Sequence, residues 1–351
     1  DIKIDERSSK ELIEIIKSMN NSYLVLQGPP GTGKTYTSSR IIVDLLRNNF
    51  KIAIVCHSHK AIINLVEAID SYSSEIGYEF RGAYNPGSRK QDLEFKNIEV
   101  TNTSKIDSKS YDLIAGTAWA LSNQVHRKNS EKEKNFDYIF FDEAGQLSIS
   151  KLIASSMSSK NIVMIGDHMQ LPQPTAGNLD GESTYSPIEY LLKEKNTISD
   201  HNGIFLDRTF RMHQNICDFI SKSFYENRLI SDQTTHNQQV ILQDGKSIEN
   251  GIYLTDLDHN DYSVQNMEEV KYIKKIYDKL ILGNWIDREK KVSEISAEDI
   301  LVVSPFNAQV NLIKQSLGEN ALVGTIDNFQ GQEAPIVIIS YVSSNPNNIP
   351  R

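Results

Sequence analysis

The chain is poor in cysteine and contains no long apolar segment. Its only two cysteines, Cys56 and Cys217, lie far apart and have no neighbours spaced as metal ligands. This scarcity argues against a disulfide framework or a zinc site and favours a reducing compartment such as the cytoplasm. No apolar run approaches the roughly 18 to 20 residues that a membrane span needs, and the start carries no signal-peptide pattern. The sequence therefore predicts neither a membrane protein nor a secreted disulfide-rich one.

Basic residues are outnumbered by acidic ones, which sets a condition on any nucleic-acid site. The formal net charge is -9, from 37 Lys and Arg against 46 Asp and Glu. Because the surface as a whole does not attract a polyanion, nucleic acid would have to bind in a local basic groove. A length of 351 residues favours two domains over a single core.

Short apolar strands alternate with helical patterns, which predicts an α/β fold with mostly parallel sheets. Helical patterns of about 10 to 15 residues separate the strands, as in crossover units that cover both faces of a sheet. We predict one domain over residues 1–200, with an insertion at about 71–110, and a second domain over residues 201–351. In the second domain GIFLD and GIYLTDL are among the predicted strands, and residues 227–249 are expected to be loop-like.

A phosphate-binding loop follows the first predicted strand. QGPPGTGKT places Gly28, Gly33, Lys34 and Thr35 in the G-x-x-x-x-G-K-[ST] spacing, between a strand and a helix as this motif requires. Glycines let backbone N–H groups surround phosphates, and the N-terminus of the next helix adds a positive dipole end. We expect Lys34 to neutralise the β- and γ-phosphates and Thr35 to offer its hydroxyl to Mg²⁺. A glycine-rich turn without function is the weaker interpretation.

Two adjacent carboxylates end the strand FDYIFFDE. With a phosphate loop on the same sheet, Asp142 is expected to help hold Mg²⁺, and Glu143 to orient or deprotonate the attacking water. A strand end that meets solvent is the alternative. The HRD and DFG signatures of protein kinases are absent, and SKID at 104–107, the nearest match to a guanine-reading motif, lies in the irregular segment.

The stretch DEAGQ at 142–146 makes the prediction more specific, because further motifs follow in order along nearly the whole chain. These are CHSHKAIINL (56–65), AGTAWAL (115–121), GDHMQLPQ (166–173), LDRTFRMHQNIC (206–217), VVSPFNAQV (302–310) and VGTIDNFQGQE (323–333). Together they resemble superfamily 1 helicases of the DEA-x-Q, 5′-to-3′ branch (superfamily 1B), in particular helicase modules fused to RecB-like nucleases. The resemblance implies two tandem RecA-like P-loop domains with ATP and Mg²⁺ in the cleft between them.

The resemblance also assigns roles at the nucleotide. Gln146 would couple the γ-phosphate to the grip on nucleic acid, and Gln170 would be a second polar sensor. Arg211, opening the second domain, would stabilise charge on the γ-phosphate, with an interdomain salt bridge as the alternative. Phe210 would stack on adenine, or be an ordinary core aromatic. The implied catalytic residues are Lys34, Glu143, Gln170 and Arg211, and the implied cofactor-binding residues are Gly28, Pro29, Pro30, Gly31, Thr32, Gly33, Lys34, Thr35, Tyr36, Gln146, Phe210, Gly331 and Glu333.

Five further positions match motif residues that line the path of the nucleic acid in this family. They are Ser58, Thr117, Pro305, Asn307 and Thr325. Hydroxyls and backbone amides at strand ends hold phosphates without reading sequence, as single-strand grooves require. The alternative for each Ser and Thr is an ordinary helix cap.

The sequence departs from the family pattern in two places. The glutamine that usually reads adenine has no counterpart in DERSSKELIE, and the Arg-rich motif VI, expected shortly after residue 351, is absent, so we expect an incomplete second domain. The predicted function is an ATP-dependent helicase or translocase on single-stranded nucleic acid. DNA is favoured by the nuclease-fusion resemblance, which also implies a nuclease domain or partner in the full-length protein. A nucleotide-gated clamp, or a module that binds nucleotide without efficient turnover, are the alternatives.

Overall fold

The structure is a computed structural model that describes residues 6–87, 93–101, 109–122, 135–171, 185–193, 195–258, 262–329 and 331–344. The chain divides into two compact units, Asp1–Arg211 with Cys217–Ser231, and Met212–Ile216 with Asp232–Arg351. Each unit combines helices with parallel strands, so the predicted α/β class is confirmed. In the described part of the chain, every helix is too short or too polar to cross a lipid bilayer.

The first unit is built around one large parallel sheet. Its elements in chain order are α1 (Glu6–Lys17), β1 (Tyr23–Gln27), α2 (Lys34–Arg47), β2 (Ile52–Cys56), α3 (His59–Glu75), β3 (Gly82–Tyr84), β4 (Ile98–Val100), β5 (Leu113–Thr117), β6 (Phe136–Asp142), α4 (Ile149–Ser156), β7 (Ser159–Gly166), α5 (Pro187–Leu192), β8 (Gly203–Phe205), β9 (Arg208–Thr209), α6 (Gln214–Phe224) and β10 (Ile230–Ser231). The sheet order is β4-β3-β5-β2-β6-β7-β1-β8, and all its neighbouring strands are parallel. A separate parallel pair joins β9 to β10.

The register of this sheet brings the motif residues to one edge. All five residues of the central strand β2, IAIVC, are buried, as is typical of strands covered on both faces. Cys56 at the end of β2 pairs with Thr117 on one side and with Asp142 on the other. On the other half of the sheet, Gln27 pairs with Gly166. Residues that directly follow these strands therefore emerge at the carboxyl edge of the sheet.

Two sequence boundaries are corrected by the strand pairing. β3 and β4 come from the segment predicted to be an insertion, yet they extend the first sheet next to β5. Strands of three residues are too short to produce a clear alternation, so the pattern shows little periodicity here beyond NIEVTNT, which contains β4. β8 pairs with β1 through Val25 and Gly203, so residues beyond 200 still belong to the first unit and the boundary moves toward residue 231. SKID at 104–107 and most of the charge run at 126–135 lie outside the described residues.

The second unit has two small sheets. Its elements are β11 (Gln239–Ile241), β12 (Ser247–Ile248), α7 (Met267–Leu280), β13 (Asn284–Ile286), β14 (Val292–Glu294), β15 (Ile300–Val303), α8 (Asn307–Leu317), β16 (Leu322–Gly324) and β17 (Ile336–Ile339). One sheet, β16-β15-β17, is parallel, and the other, β12-β11-β13-β14, is antiparallel. The predictions of a strand at GIYLTDL and of a loop throughout 227–249 are both wrong, because hairpin pairing builds the antiparallel sheet from short strands with polar residues.

Candidate nucleotide and nucleic-acid site

The phosphate loop connects β1 to α2 and is held by its own polar groups. The Gly28 N–H donates to the Gly166 carbonyl at 3.0 Å, which fixes the start of the loop to the end of β7. Lys34 Nζ donates to the Gly28 carbonyl at 2.8 Å, so the ammonium folds back over the loop. Gly33 precedes α2 with φ +77°, a backbone conformation that favours glycine. No side chain caps α2, so its first N–H groups, next to the loop, are available to a phosphate.

The segment 209–211 is hydrogen-bonded to this loop. Thr209 Oγ1 donates to the Pro30 carbonyl and the Phe210 N–H donates to the Gly31 carbonyl, both at 2.9 Å. A Cβ atom added to Gly31 would stand 2.3 Å from Cβ of Arg211. Arg211 thus lies beside the phosphate loop and belongs to the first unit, so the prediction that it opens the second domain is wrong. Phe210 is 9% exposed, which favours the core alternative for its ring.

Asp142 and Glu143 follow β6 at the same edge. Asp142 is buried, and its Oδ1 accepts the Glu143 N–H at 3.0 Å, while Glu143 adopts φ +52°. Burial first, and then the negative charge of Glu143, raise the pKa of the Asp142 carboxyl from 3.8 to about 7. The positive charge of Lys34 opposes this shift, so the ammonium and the carboxyl are electrostatic neighbours. The loop and the strand-end carboxylates therefore form one site.

The raised pKa of Asp142 predicts opposite pH effects on folding and on metal binding. Between about pH 4 and pH 7 the folded chain holds this proton and the unfolded chain does not, so without metal this group's contribution to stability falls as pH rises. Magnesium needs the carboxylate, so Mg²⁺-dependent nucleotide binding should strengthen as pH rises through about 7. Thermal unfolding in a chelator and Mg²⁺-dependent binding of a fluorescent ATP analogue, each from pH 5.5 to 8, measure both trends. Asp142→Asn is the control, and equal pH dependence in this variant would contradict the prediction.

The donor types at this site fit magnesium bound together with phosphate. Mg²⁺ usually keeps several waters and is held through one or two carboxylates and substrate phosphates. The Asp142 carboxylate and the Thr35 hydroxyl supply such oxygens, Thr35 being the second residue of α2. Among the described residues, no group of three or more His, Cys, Asp and Glu is placed to hold a metal ion alone. Next to Thr35, the ring of Tyr36 is covered by the Arg40 guanidinium, 3.2 Å from the ring centroid.

Gln146 lies in the turn after β6 and Gln170 in the turn after β7, and the backbones of these two turns are in close contact. Gln170 Nε2 donates to Asp167 Oδ2 at 3.1 Å, and the same oxygen accepts the Tyr225 hydroxyl at 2.6 Å. Gln146 is 7% exposed and ends the 3-10 turn Ala144–Gln146. Within that turn, a Cβ added to Gly145 would stand 2.6 Å from the Asp167 carbonyl oxygen. The turn after β6 and the turn after β7 are therefore packed backbone to backbone.

Sequence reasoning missed three residues that shape this site: Thr209, Asp167 and Tyr225. Asp167 had a usable signal, because it directly follows the buried strand β7 as Asp142 closes β6. Burial, and then the Asp167 charge, raise the pKa of the Tyr225 hydroxyl, which keeps it a hydrogen-bond donor. Tyr225 had no signal, since it lies 58 positions from Asp167 in the chain.

The predicted nucleic-acid residues of the first unit act locally as helix caps. Ser58 caps α3 by accepting the Ala61 N–H at 3.2 Å, and Thr117 Oγ1 accepts the Ala120 N–H at 3.4 Å. Both hydroxyls nevertheless lie at the carboxyl edge of the sheet, since Ser58 follows β2 by two residues and Thr117 ends the neighbouring strand β5. A contact with nucleic acid stays a prediction for both.

The second unit holds the other predicted positions. Pro305 and Asn307 flank the start of α8, and Thr325 Oγ1 donates to Asn328 Oδ1 at 2.7 Å. Gly331 has φ +74° and Glu333 is exposed. Their roles in binding nucleic acid, ribose or phosphate stay predictions.

A parallel sheet with a phosphate loop after one strand and paired carboxylates after another defines a P-loop nucleotide-binding protein. Two family models, each described as an AAA domain, match residues 12–176 and 184–349. DNA polymerase alpha-associated DNA helicase A of Schizosaccharomyces pombe is 26% identical over 92% of this chain and 56% of its own length. DNA replication ATP-dependent helicase/nuclease DNA2 is 24% identical in Xenopus laevis, over 93% of this chain and 33% of that protein. DNA2 of Saccharomyces cerevisiae is 25% identical, over 96% of this chain and 23% of that protein.

The two AAA-domain models together cover residues 12–349, so the chain belongs to the AAA-domain family, and the resemblance to superfamily 1 helicases that its motifs predict is confirmed by the helicases among its relatives. Dependence on ATP and Mg²⁺ is general in this family. The chain spans about half the length of the first relative and a third or less of the DNA2 proteins.

Proposed function

We propose that this chain is an ATP-dependent helicase or translocase on single-stranded nucleic acid, with DNA as the preferred track. The observation that carries the proposal is the junction of the phosphate loop with segment 209–211. A phosphate loop alone is found in many nucleotide-binding proteins. An arginine held beside that loop, in a chain that also carries DEAGQ and GDHMQ, is expected of an enzyme that couples ATP hydrolysis to movement. The names of the relatives, helicase and helicase/nuclease, support the same reading.

In the proposed mechanism, the backbone N–H groups of the loop and of the first turn of α2 bind the β- and γ-phosphates. Lys34 would leave the Gly28 carbonyl and contact the phosphates as a point charge. Thr35 and Asp142 would hold Mg²⁺, which neutralises charge that develops on the phosphate oxygens. Glu143, next to Asp142 at the exit of β6, would orient the attacking water. Arg211 would stabilise the transferring group from the side of Gly31.

Coupling to nucleic acid would use the turns that follow β6 and β7. Gln146 and Gln170 lie in these two packed turns. A structural change at the γ-phosphate would therefore be transmitted over a short distance to the neighbouring strand ends. Ser58 and Thr117 follow or end the next strands of the sheet, where the nucleic-acid backbone would lie. Hydrolysis would thereby alternate the grip on a single strand.

The first test is ATP hydrolysis by this chain with and without single-stranded DNA or RNA, with Lys34→Ala as the blank. Strong stimulation that disappears in the variant is expected, and the polymer that stimulates more identifies the track. Turnover that stays at background with every polymer, while nucleotide still binds, would overturn the proposal and favour a module without efficient turnover. Stimulated turnover without strand displacement would favour the nucleotide-gated clamp.

We further propose 5′-to-3′ movement, and a nuclease domain or partner in the full-length protein, from the similarity to the helicase/nuclease DNA2. Strand displacement from duplexes with a single-stranded tail on either end tests the direction. Unwinding that requires a 3′ tail would contradict it.

A further inference from the structure

One tryptophan stands out on the surface of the first unit. Trp119 is 78% exposed, the highest exposure of any Trp, Tyr or Phe among the described residues. Its neighbours Ala118 and Leu121 are buried, so the turn is anchored in the unit while the indole faces outward. Tryptophan is enriched at binding interfaces, because it combines a large apolar ring with a polar N–H.

The backbone that presents Trp119 is held on three sides. Thr117 Oγ1 accepts the Ala120 N–H at 3.4 Å, and Ser122 Oγ donates to the Trp119 carbonyl at 3.1 Å. Ser155 Oγ of α4 donates to the Ala118 carbonyl at 3.4 Å, which ties the turn to a neighbouring helix. The indole is therefore presented from a fixed position two residues beyond the end of β5.

The surroundings of Trp119 suit a nucleic-acid backbone. Residues after β2 and β5 emerge side by side, as the pairing of Cys56 with Thr117 requires. The helices α3 and α4 begin at this edge, with no acidic side chain in their first turns and with exposed Lys60 and Lys151 there. Burial, and then the positive charge of Lys151, lower the pKa of the His57 imidazole, and the charge of Glu143 opposes them, so this lysine and the Glu143 carboxylate both lie near the end of β2. Positive charge and helix N-termini at one edge attract phosphates.

From this arrangement we infer that Trp119 is a stacking platform for one base of the single strand whose phosphates bind along the ends of β2 and β5. Single-strand sites combine phosphate contacts with aromatic rings, because every base has a face that stacks. In a duplex both faces of a base are covered by its neighbours, so Trp119 would select single strands. The inference deepens the proposed function and rests on it.

Equilibrium binding of a fluorescently labelled oligodeoxythymidine, without nucleotide, tests the inference. Trp119→Ala should weaken binding by about 5- to 150-fold, the range expected for loss of one stacked base. Trp119→Phe should retain much of the affinity, since the smaller ring still stacks. Tyr23→Ala is the matched control, because Tyr23 is 52% exposed at the amino end of β1 in the same sheet and should bind as the wild type does.

A salt series separates stacking from phosphate contact. Trp119→Ala should lower the affinity at every salt concentration and leave the slope of log K against log [salt] unchanged. Lys151→Ala should reduce the magnitude of that slope by about 0.7, as expected for one lost contact to a single strand. In addition, the chain has two tryptophans, so in a Trp285→Phe background the oligonucleotide should quench the remaining Trp119 fluorescence.

The outcomes distinguish this inference from the proposed function. If the wild type binds the oligonucleotide and folded Trp119→Ala binds it equally well, the stacking inference falls, Trp119 would instead suit a protein partner, and the proposed function stands. If the slope changes in Trp119→Ala, the residue positions phosphate contacts and does not stack. If the wild type binds neither single-stranded DNA nor RNA, the proposed function fails, and the inference fails with it. Thermal unfolding of each variant confirms that the comparison is between folded chains.

Discussion

Replacing Arg211 by alanine should lower kcat for ATP by at least about 10³-fold, within the 10³- to 10⁵-fold range attributed to arginines that act on the γ-phosphate. The hydrogen bonds from Thr209 and Phe210 to the loop carbonyls hold the two residues that precede Arg211 beside the loop, and Cβ of Arg211 itself lies against Gly31. The guanidinium would stabilise charge that is largest in the transition state. Affinity for ATP should therefore change by less than about tenfold, and the loss should be found in kcat.

The matched control for this prediction is Arg208→Ala. Arg208 is exposed, precedes Arg211 by three residues and pairs with Ile230 through β9. It should turn over ATP at nearly the wild-type rate. Arg211→Lys should be intermediate at best, because an ammonium lacks the planar fork of the guanidinium. ATP titrations of steady-state turnover and of binding separate the two parameters, and an equal loss of binding and turnover would assign Arg211 to ground-state binding instead.

The sequence predicts those residues of the nucleotide site whose role follows from their neighbours in the chain. The loop Gly28–Thr35 is a contiguous motif between two elements whose apolar patterns are strong, so its structure and position follow from the sequence. Asp142 ends a strand whose residues are nearly all buried and Glu143 follows it, and parallel pairing brings such strand ends to one edge. The same reasoning applied to β7 would also have indicated Asp167.

The parts of the fold and of the site that the sequence does not predict depend on contacts between residues far apart in the chain. The sequence pattern places Arg211 at the opening of a second domain because a new strand pattern begins near residue 201, but β8 adds to the far edge of the first sheet. The hydroxyl of Tyr225 reaches Asp167 only because the fold brings α6 next to β7. Short polar strands such as β12 owe their structure to their hairpin partner, which no local pattern shows.

For hydroxyls at strand ends, the sequence pattern does not distinguish a helix cap from a contact with nucleic acid. Ser58, Thr117 and Thr325 were expected at the nucleic acid, and each has a local hydrogen bond at the start of a helical turn. The Ser58 and Thr117 oxygens each accept a backbone N–H and keep their own hydrogen for a phosphate oxygen, whereas the Thr325 hydroxyl donates its hydrogen to Asn328 Oδ1 and would have to release it to bind phosphate. Capping and phosphate binding are therefore compatible at Ser58 and Thr117, and the sequence pattern is the same for both.

Replacing Gly31 by alanine should disable the site even though the new side chain is only a methyl group. Gly31 has φ +77°, and its Cβ would stand 2.3 Å from Cβ of Arg211 and 2.6 Å from Oγ1 of Thr209. Neither neighbour is the far end of a flexible side chain, so segment 209–211 must leave the loop and lose its bonds to Pro30 and Gly31. We expect turnover to fall by at least about 10²-fold through displacement of Arg211. Stability should fall by about 2 to 5 kcal/mol from backbone strain and overpacking together.

Gly77→Ala separates strain from collision. Gly77 has a similar φ of +68° in the same unit, but an added Cβ would meet nothing within 4 Å. The free energy of unfolding of this variant should fall by only roughly 1 kcal/mol or slightly more, which is the cost of placing alanine in the left-handed backbone region. Its ATP turnover should be unchanged. Denaturant unfolding and ATP turnover of both variants measure the difference. If the two variants are equally destabilised and equally active, the contact between the phosphate loop and Arg211 is not what requires glycine at position 31. A large loss confined to Gly31→Ala would instead show that this glycine serves the arginine as well as the phosphates, a role that the loop motif alone does not reveal.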